Sequence, residues 1–370
     1  MPPVEAWAKV AVSNEFTETL HGSIGCTDCH GGVSTEYEME SAHEGVVRDP
    51  DPITACGSCH AEMAEDHYSS LHGSLDGYFT VLAERSTEEK WPQLIDMFGN
   101  HCASCHASCG QCHVSRPTSA GGGLLSGHEF RETPPMNLTC TGCHGSRIND
   151  EYKGKNEISE GVAYPADVHF NPGGMACFDC HTGDEMHMPQ EGEEPVHRYG
   201  GERDPKCEDC HPGVGAEADT NAQHSDNHLA DLSCQVCHSV SYKNCYSCHV
   251  QKNDEGAAYF TTAPSEMAFA IGLNVERTEE RPWEYVVVRH VPIDPQSFEY
   301  YGEDLLPNFD ARPTWVYATP HNIQRNTPQN ASCASCHGNA ELFLTEDRVA
   351  PEELEANRPV IVIEIPPLPF

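Results

Sequence analysis

No stretch of this 370-residue chain stays apolar over the roughly 20 residues that cross a bilayer, so no membrane span is expected. Basic residues are scarce: 21 Lys and Arg stand against 58 Asp and Glu, a formal charge of −37. A surface of that sign repels phosphate backbones and anionic lipid, which excludes nucleic acid and anionic membrane surfaces as partners. Hydrophobic residues make up only 38% and aromatics 8%, while Gly and Pro number 30 and 27. A core of side chains alone is then undersized for this length, and something else is expected to fill the interior. No leader is expected in the N-terminal residues either. Met1 to Val12 interrupts its apolar residues with Glu5 and Lys9, does not read as a signal peptide, and is expected to open a mature or re-engineered chain. The run from Val360 to Phe370 is broken by Glu364, Pro366, Pro367 and Pro369 and reads as a short strand and tail, folding back on its own chain, rather than an anchor.

Cysteine is abundant, with 20 residues. Disulfide scaffolds, zinc ribbons and iron–sulfur clusters are the ordinary explanations, and spacing decides among them. The string Cys-x-x-Cys-His pairs Cys26 with Cys29, Cys56 with Cys59, Cys102 with Cys105, Cys109 with Cys112, Cys140 with Cys143, Cys177 with Cys180, Cys207 with Cys210, Cys234 with Cys237, Cys245 with Cys248, and Cys333 with Cys336. Ten motifs consume every cysteine, and histidine follows each second one. Zinc ribbons and redox Cys-x-x-Cys pairs have no need of that histidine, whereas covalent haem does. Two thiols add across the two vinyl groups of the macrocycle, and the next residue then lies under the iron as its proximal ligand. The proximal set is His30, His60, His106, His113, His144, His181, His211, His238, His249 and His337. Ten haem c groups are therefore expected, and no thiol is left for a disulfide.

Thirteen further histidines remain for ten irons: His21, His43, His67, His72, His101, His128, His169, His187, His197, His224, His228, His290 and His321. The distal candidates are His21, His43, His72, His128, His169, His187, His197, His224, His228 and His321. His21 and His72 share the local string Leu-His-Gly-Ser, which points to a repeated role. His67, His101 and His290 are ranked lower, and Met186 and Met188 read as core filling. Two histidines saturate an iron and lower its potential relative to a histidine–methionine pair, which suits electron transfer and opposes bond chemistry. No catalytic residue is expected.

Motif spacing constrains packing. The step from Cys102 to Cys109 is seven residues, roughly 10 Å as helix and at most about 25 Å extended, so two macrocycles there lie in or near contact. The step from Cys234 to Cys245 gives a second close pair. A compact chain of this size has a radius of gyration of about 21 Å, which crowds ten haems into hopping distance.

The fold class expected is a mostly irregular multihaem cytochrome c fold: short helices at the motifs, little β-structure, and a core of stacked haems. Three regions follow: residues 1–249 with nine motifs, 250–332 as a haem-free insert expected to be β-rich, and 333–370 with the tenth motif and tail. Strand-like runs cover Ala268 to Val275 and Trp283 to Val291, Pro117 to Leu125 reads as loop, and Ser86-Thr87-Glu88-Glu89 matches a capping box opening a helix.

On its ten motifs, its histidine surplus and the paired motifs at Cys102 and Cys109, the chain resembles the extracellular and periplasmic multihaem cytochromes of metal-respiring prokaryotes. It is similar to those that form conductive filaments. The resemblance implies maturation outside the cytoplasmic membrane, an extracellular or cell-surface location with the periplasm as alternative, and long-range electron transfer. Partners would be redox proteins, extracellular acceptors or further copies of the chain. A periplasmic shuttle and a multihaem reductase of nitrogen or sulfur oxyanions are the rival readings. The latter is opposed by the negative charge and by ten motifs that all end in histidine.

Overall fold

The computed structural model describes residues 5–103, 108–117, 120–189 and 202–369. Cys105, His106, His197 and part of the Pro117 to Leu125 loop lie outside the described residues.

Most motifs close a single helical turn. Cys26–His30, Cys109–His113, Cys140–Cys143, Cys207–Cys210, Cys234–His238 and Cys333–Cys336 are helices of four or five residues, and Cys177–Asp179 is a turn of 3₁₀-helix. The amide of the motif histidine donates back to the carbonyl of the first cysteine in the motifs of His60, His144, His181, His211 and His337, at 2.8–2.9 Å. Such a turn gathers the two thiols and the imidazole on one side. Helices this short do not persist on propensity alone, so tertiary contacts hold them.

The ninth motif departs from this form. Cys248–Lys252 is a β-strand in an antiparallel hairpin with Ala258–Thr262, with Cys248 opposite Thr262 and His249 opposite Thr261. Successive side chains on a strand point to opposite faces.

Longer helices occur at Ala61–Ser69, Asp76–Arg85 and Trp91–His101. The last buries Leu94, Met97, Phe98 and His101, the i, i+3, i+4, i+7 stripe of an amphipathic helix. The capping box expected at Ser86 is not formed. The helical segment opens as a 3₁₀ turn at Glu88–Lys90 without a side-chain cap, and the buried Ser86 hydroxyl instead donates to the Leu305 carbonyl at 2.8 Å.

The chain divides into two compact units. The first is Met1–Asp76, Cys102–Gly145 and Cys177–Gly192; the second is Gly77–His101, Ser146–Ala176 and Glu193–Phe370.

The second unit holds a three-stranded antiparallel sheet, Ile271–Leu273, Tyr285–His290 and Trp315–Tyr317, with Ile271 opposite Val287 and Val288 opposite Tyr317. Its central strand is covered on both faces, which is why Val286, Val287 and Val288 run consecutively. Val286 and Val288 pack with Trp315, Tyr317, Leu344 and Val360, while Val287 faces Ile271, Tyr242, Phe343 and Val362. The C-terminal segment completes this core: Leu273 donates to Val360 and Val362 to Leu344, at 2.9 and 2.8 Å.

The first unit is built otherwise. Among the described residues only Ala64 and Val114 of that unit are buried apolar side chains, although it carries six of the ten motifs. Protein atoms alone give it no hydrophobic core.

Candidate functional site

The repeated Leu-His-Gly-Ser string folds twice in the same way. Leu20–Ser23 and Leu71–Ser74 are one-turn helices, capped by Thr19 and Ser70, whose side-chain oxygens accept from the Gly22 and Gly73 amides at 3.0 and 3.2 Å. A β-carbon at Gly22 or Gly73 would fall 1.9 Å from the Phe16 carbonyl oxygen or 2.0 Å from that of His67. Glycine is thus required, and each turn projects its histidine toward a motif: His21 faces His60 and His72 faces His144, with ring centroids 6.3 and 6.2 Å apart.

Five more such pairs exist among the described residues. His128 lies 5.8 Å from His30, His187 6.0 Å from His113, His169 6.1 Å from His211, His224 6.3 Å from His238, and His228 5.9 Å from His337. In every pair one member belongs to a motif and the other is a distal candidate. His128 adopts φ 74°, a left-handed conformation costly for a residue with a β-carbon, as found where function fixes a side chain.

The ring nitrogens are sorted. Nδ1–H of His30, His113, His228, His238 and His337 donates to the carbonyls of Val47, Arg131, Gln223, Gln324 and Pro367, at 2.5–3.1 Å. Nδ1–H of His169, His181 and His224 donates to the carboxylates of Asp167, Glu185 and Asp219, at 3.0, 2.9 and 2.7 Å. Each bond fixes the tautomer that leaves the Nε2 lone pair available to a metal. Burial, reinforced by the neighbouring His144, pushes His72 down to about 4. His187 is lowered by burial and by His113, and His128 chiefly by burial. These rings are neutral at pH 7, the form that ligates.

The donor set fits haem and not a bare ion. Metal–imidazole bonds are about 2.0–2.1 Å, and adding the offset from nitrogen to ring centre puts two imidazoles trans on one ion roughly 6.3 Å apart. Donors come in twos, and no cluster of three or more His, Cys, Asp or Glu exists among the described residues. Two donors leave a bare transition metal under-coordinated, and a tetrapyrrole supplies the other four. Cys26, Cys56, Cys109, Cys140, Cys207, Cys234 and Cys333 stand outside any disulfide, as thioether formation requires.

Motifs adjacent in space are not always adjacent in sequence. The Cys56 thiol neighbours that of Cys109, Cys140 that of Cys177, and Cys207 that of Cys234.

The remaining candidates have other contacts at their side chains or backbone. His43 is exposed, its Nδ1–H donating to the Met39 carbonyl at 2.6 Å. The His321 amide donates to Glu151 Oε2 at 2.8 Å. His67, ranked low by sequence, is buried with its ring 6.4 Å from that of His187; its place on the inner face of the Ala61–Ser69 helix was the available signal. His101 Nε2 meets the Tyr301 hydroxyl at 2.8 Å, and His290 Nε2 meets Glu353 at 2.9 Å. His249 Nε2 lies 3.3 Å from Asp294 Oδ2, and Cys245 Sγ accepts from Arg147 at 2.6 Å. Sequence reading also passed over Asp167 and Glu185. The spacings Asp-x-His and His-x-x-x-Glu could have marked both.

No helix among the described residues is long and apolar enough to cross a membrane. The family model for cytochrome c554 and c-prime matches residues 184–239, a segment holding the motifs of His211 and His238. No solved structure matches the chain. The family match supports a multihaem c-type cytochrome, an electron carrier with covalent haem.

Proposed function

We propose that this chain is a decahaem cytochrome that conducts electrons along closely packed, mostly bis-histidine haems, and that it works outside the cell. The observation that carries the reading is the facing of seven motif histidines by seven others at 5.8–6.3 Å. Haem iron, when bound, supplies a one-electron ferric–ferrous couple. The protein's part is to anchor through paired thiols, to fill both axial positions against exogenous ligands, and to hold each imidazole through its Nδ1–H. The −37 charge keeps the assembly soluble and favours cationic partners. Intact mass and the haem absorbance spectrum test the count: ten haems per chain are expected, and eight or fewer overturn it. Low-temperature electron paramagnetic resonance tests ligation. High-spin iron in more than two of the ten haems would overturn the bis-histidine reading. The resemblance to filament-forming cytochromes extends the proposal to a homopolymer, and electron microscopy of native material separates filaments from a monomeric shuttle.

A second reading rests on the ninth motif. Its strand form and the Asp294 carboxylate at His249 Nε2 favour an iron there with an exchangeable position, as reduction of a small oxyanion would need. Turnover of nitrite or hydroxylamine at a rate that sustains respiration would support this reading.

A further inference from the structure

The Nδ1 partners divide the ligand histidines into two chemical classes. His30, His113, His228, His238 and His337 donate to neutral backbone carbonyls. His169, His181 and His224 donate to carboxylates. All three carboxylates are held in place. Asp167 is 2% exposed, and besides the His169 ring it accepts the amides of His169 and Ile323 at 2.7 and 2.6 Å. Glu185 reaches His181 with both oxygens, at 2.9 and 3.0 Å. Asp219 accepts the amides of Gly215 and Asn221, each at 3.0 Å.

We propose that Asp167, Glu185 and Asp219 are positioning residues that set the low-potential end of the chain's redox range, by holding the haems ligated by His211, His181 and His238 more resistant to reduction than the rest. The inference rests on the histidine ligation proposed above. Two effects act with the same sign. A carboxylate draws on the Nδ1 proton and makes Nε2 a stronger donor, which favours ferric iron. Its negative charge, partly removed from water, also stabilises the more positive oxidation state. A backbone carbonyl contributes a dipole only. The sixth, seventh and eighth motifs are consecutive in sequence, so the three low-potential irons would belong to one stretch of the chain. At a poise between the two classes they stay ferric while the carbonyl-braced irons are reduced.

Spectroelectrochemical titration of the full holoprotein tests this with D167N, E185Q and D219N, each paired with a low-spin count from electron paramagnetic resonance. Each variant is expected to move one electron equivalent upward from the low-potential end, with the low-spin count unchanged, and the triple variant to move three. E157Q, which removes an exposed carboxylate on the Glu157–Ser159 strand, is the control for net charge and should shift nothing. D219E, restoring the carboxylate, should recover the wild-type curve. Asp167 and Asp219 each brace two amides as well, so if D167N or D219N misfolds, E185Q decides the matter. An unchanged curve in E185Q, with low-spin iron intact, overturns the proposal and leaves the ligation standing. If H169A and H224A leave the low-spin count untouched, the ligation itself fails.

Discussion

The imidazoles of His228 and His337 stand 5.9 Å apart, although most of the β-rich region separates them in sequence. Each donates Nδ1–H to a backbone carbonyl, Gln223 at 2.9 Å and Pro367 at 2.7 Å. The C-terminal tail thereby holds the tenth motif's ligand. Replacing His228 with Ala should convert one iron from low to high spin without changing the haem count by mass. A spectrum identical to wild type would remove His228 from the ligand set.

The contrast between the two units makes a second prediction. Among the described residues only Ala64 and Val114 are buried apolar residues in the first unit, whereas the second buries Val286, Val287, Val288, Phe343 and Leu344 around its sheet. Chain produced without haem-attachment machinery should keep slow amide exchange across the sheet and lose it throughout the first unit, because only one unit has an apolar core of its own. Protected amides in Ala61–Ser69 of haem-free protein would contradict this.

What the sequence disclosed follows its periodicities. The invariant spacing of the motifs implied helical turns, and the β-branched runs near Ile271 and Val286 implied strands that the sheet contains. The pairing of His128 with His30 was not legible, since a histidine 98 residues beyond its partner is placed by tertiary packing alone. The capping box at Ser86 failed for a related reason: a buried hydroxyl bonded a distant carbonyl, that of Leu305, in place of its local amide. Nor could spacing reveal the strand at Cys248, because Cys-x-x-Cys-His reads alike in either conformation and the hairpin partner at Thr262 decided it.

Glu151 is buried with its carboxylate between the Arg289 guanidinium and the His321 amide. Burial raises its pKa against the opposing pull of Arg289. Removing one member of a buried pair strands the other charge, at a cost of about 3–5 kcal/mol. Glu151→Ala should lower the exchange protection of the Val287 amide by that amount. A two-unit chain has no single unfolding free energy, so local exchange is the proper readout. A loss below about 1 kcal/mol would mean that Arg289 finds water or another acceptor.

Acid should loosen the approach to the second motif. Asp51 caps Pro52–Ala55, just ahead of Cys56, by accepting from the Thr54 amide, and it also accepts the Tyr68 hydroxyl. The amide bond foremost, then the hydroxyl, hold its carboxyl below the usual carboxylate range. A depressed folded pKa contributes stability above the unfolded value, about 3.9, and loses it as pH falls through the folded value. The protection factor at Thr54, taken against the intrinsic exchange rate at each pH, should therefore fall with acid in wild type. In Asp51→Asn it should be low already and insensitive to pH across that window.

The ninth motif supplies the sharpest test of uniform ligation. His249 Nε2 sits 3.3 Å from Asp294, closer than an iron between them would allow, and no second histidine ring lies beside it among the described residues. Its backbone also lacks the helical turn shared by the other described motifs. The ferric protein should accordingly show a high-spin component equal to one haem, and ferrous protein should bind one equivalent of carbon monoxide. Cys245→Ser with Cys248→Ser, which deletes that attachment site, should abolish both signals and lower the mass by one haem. Persistence of the high-spin component in the double variant would assign the open iron to another motif and restore His249 to the saturated set.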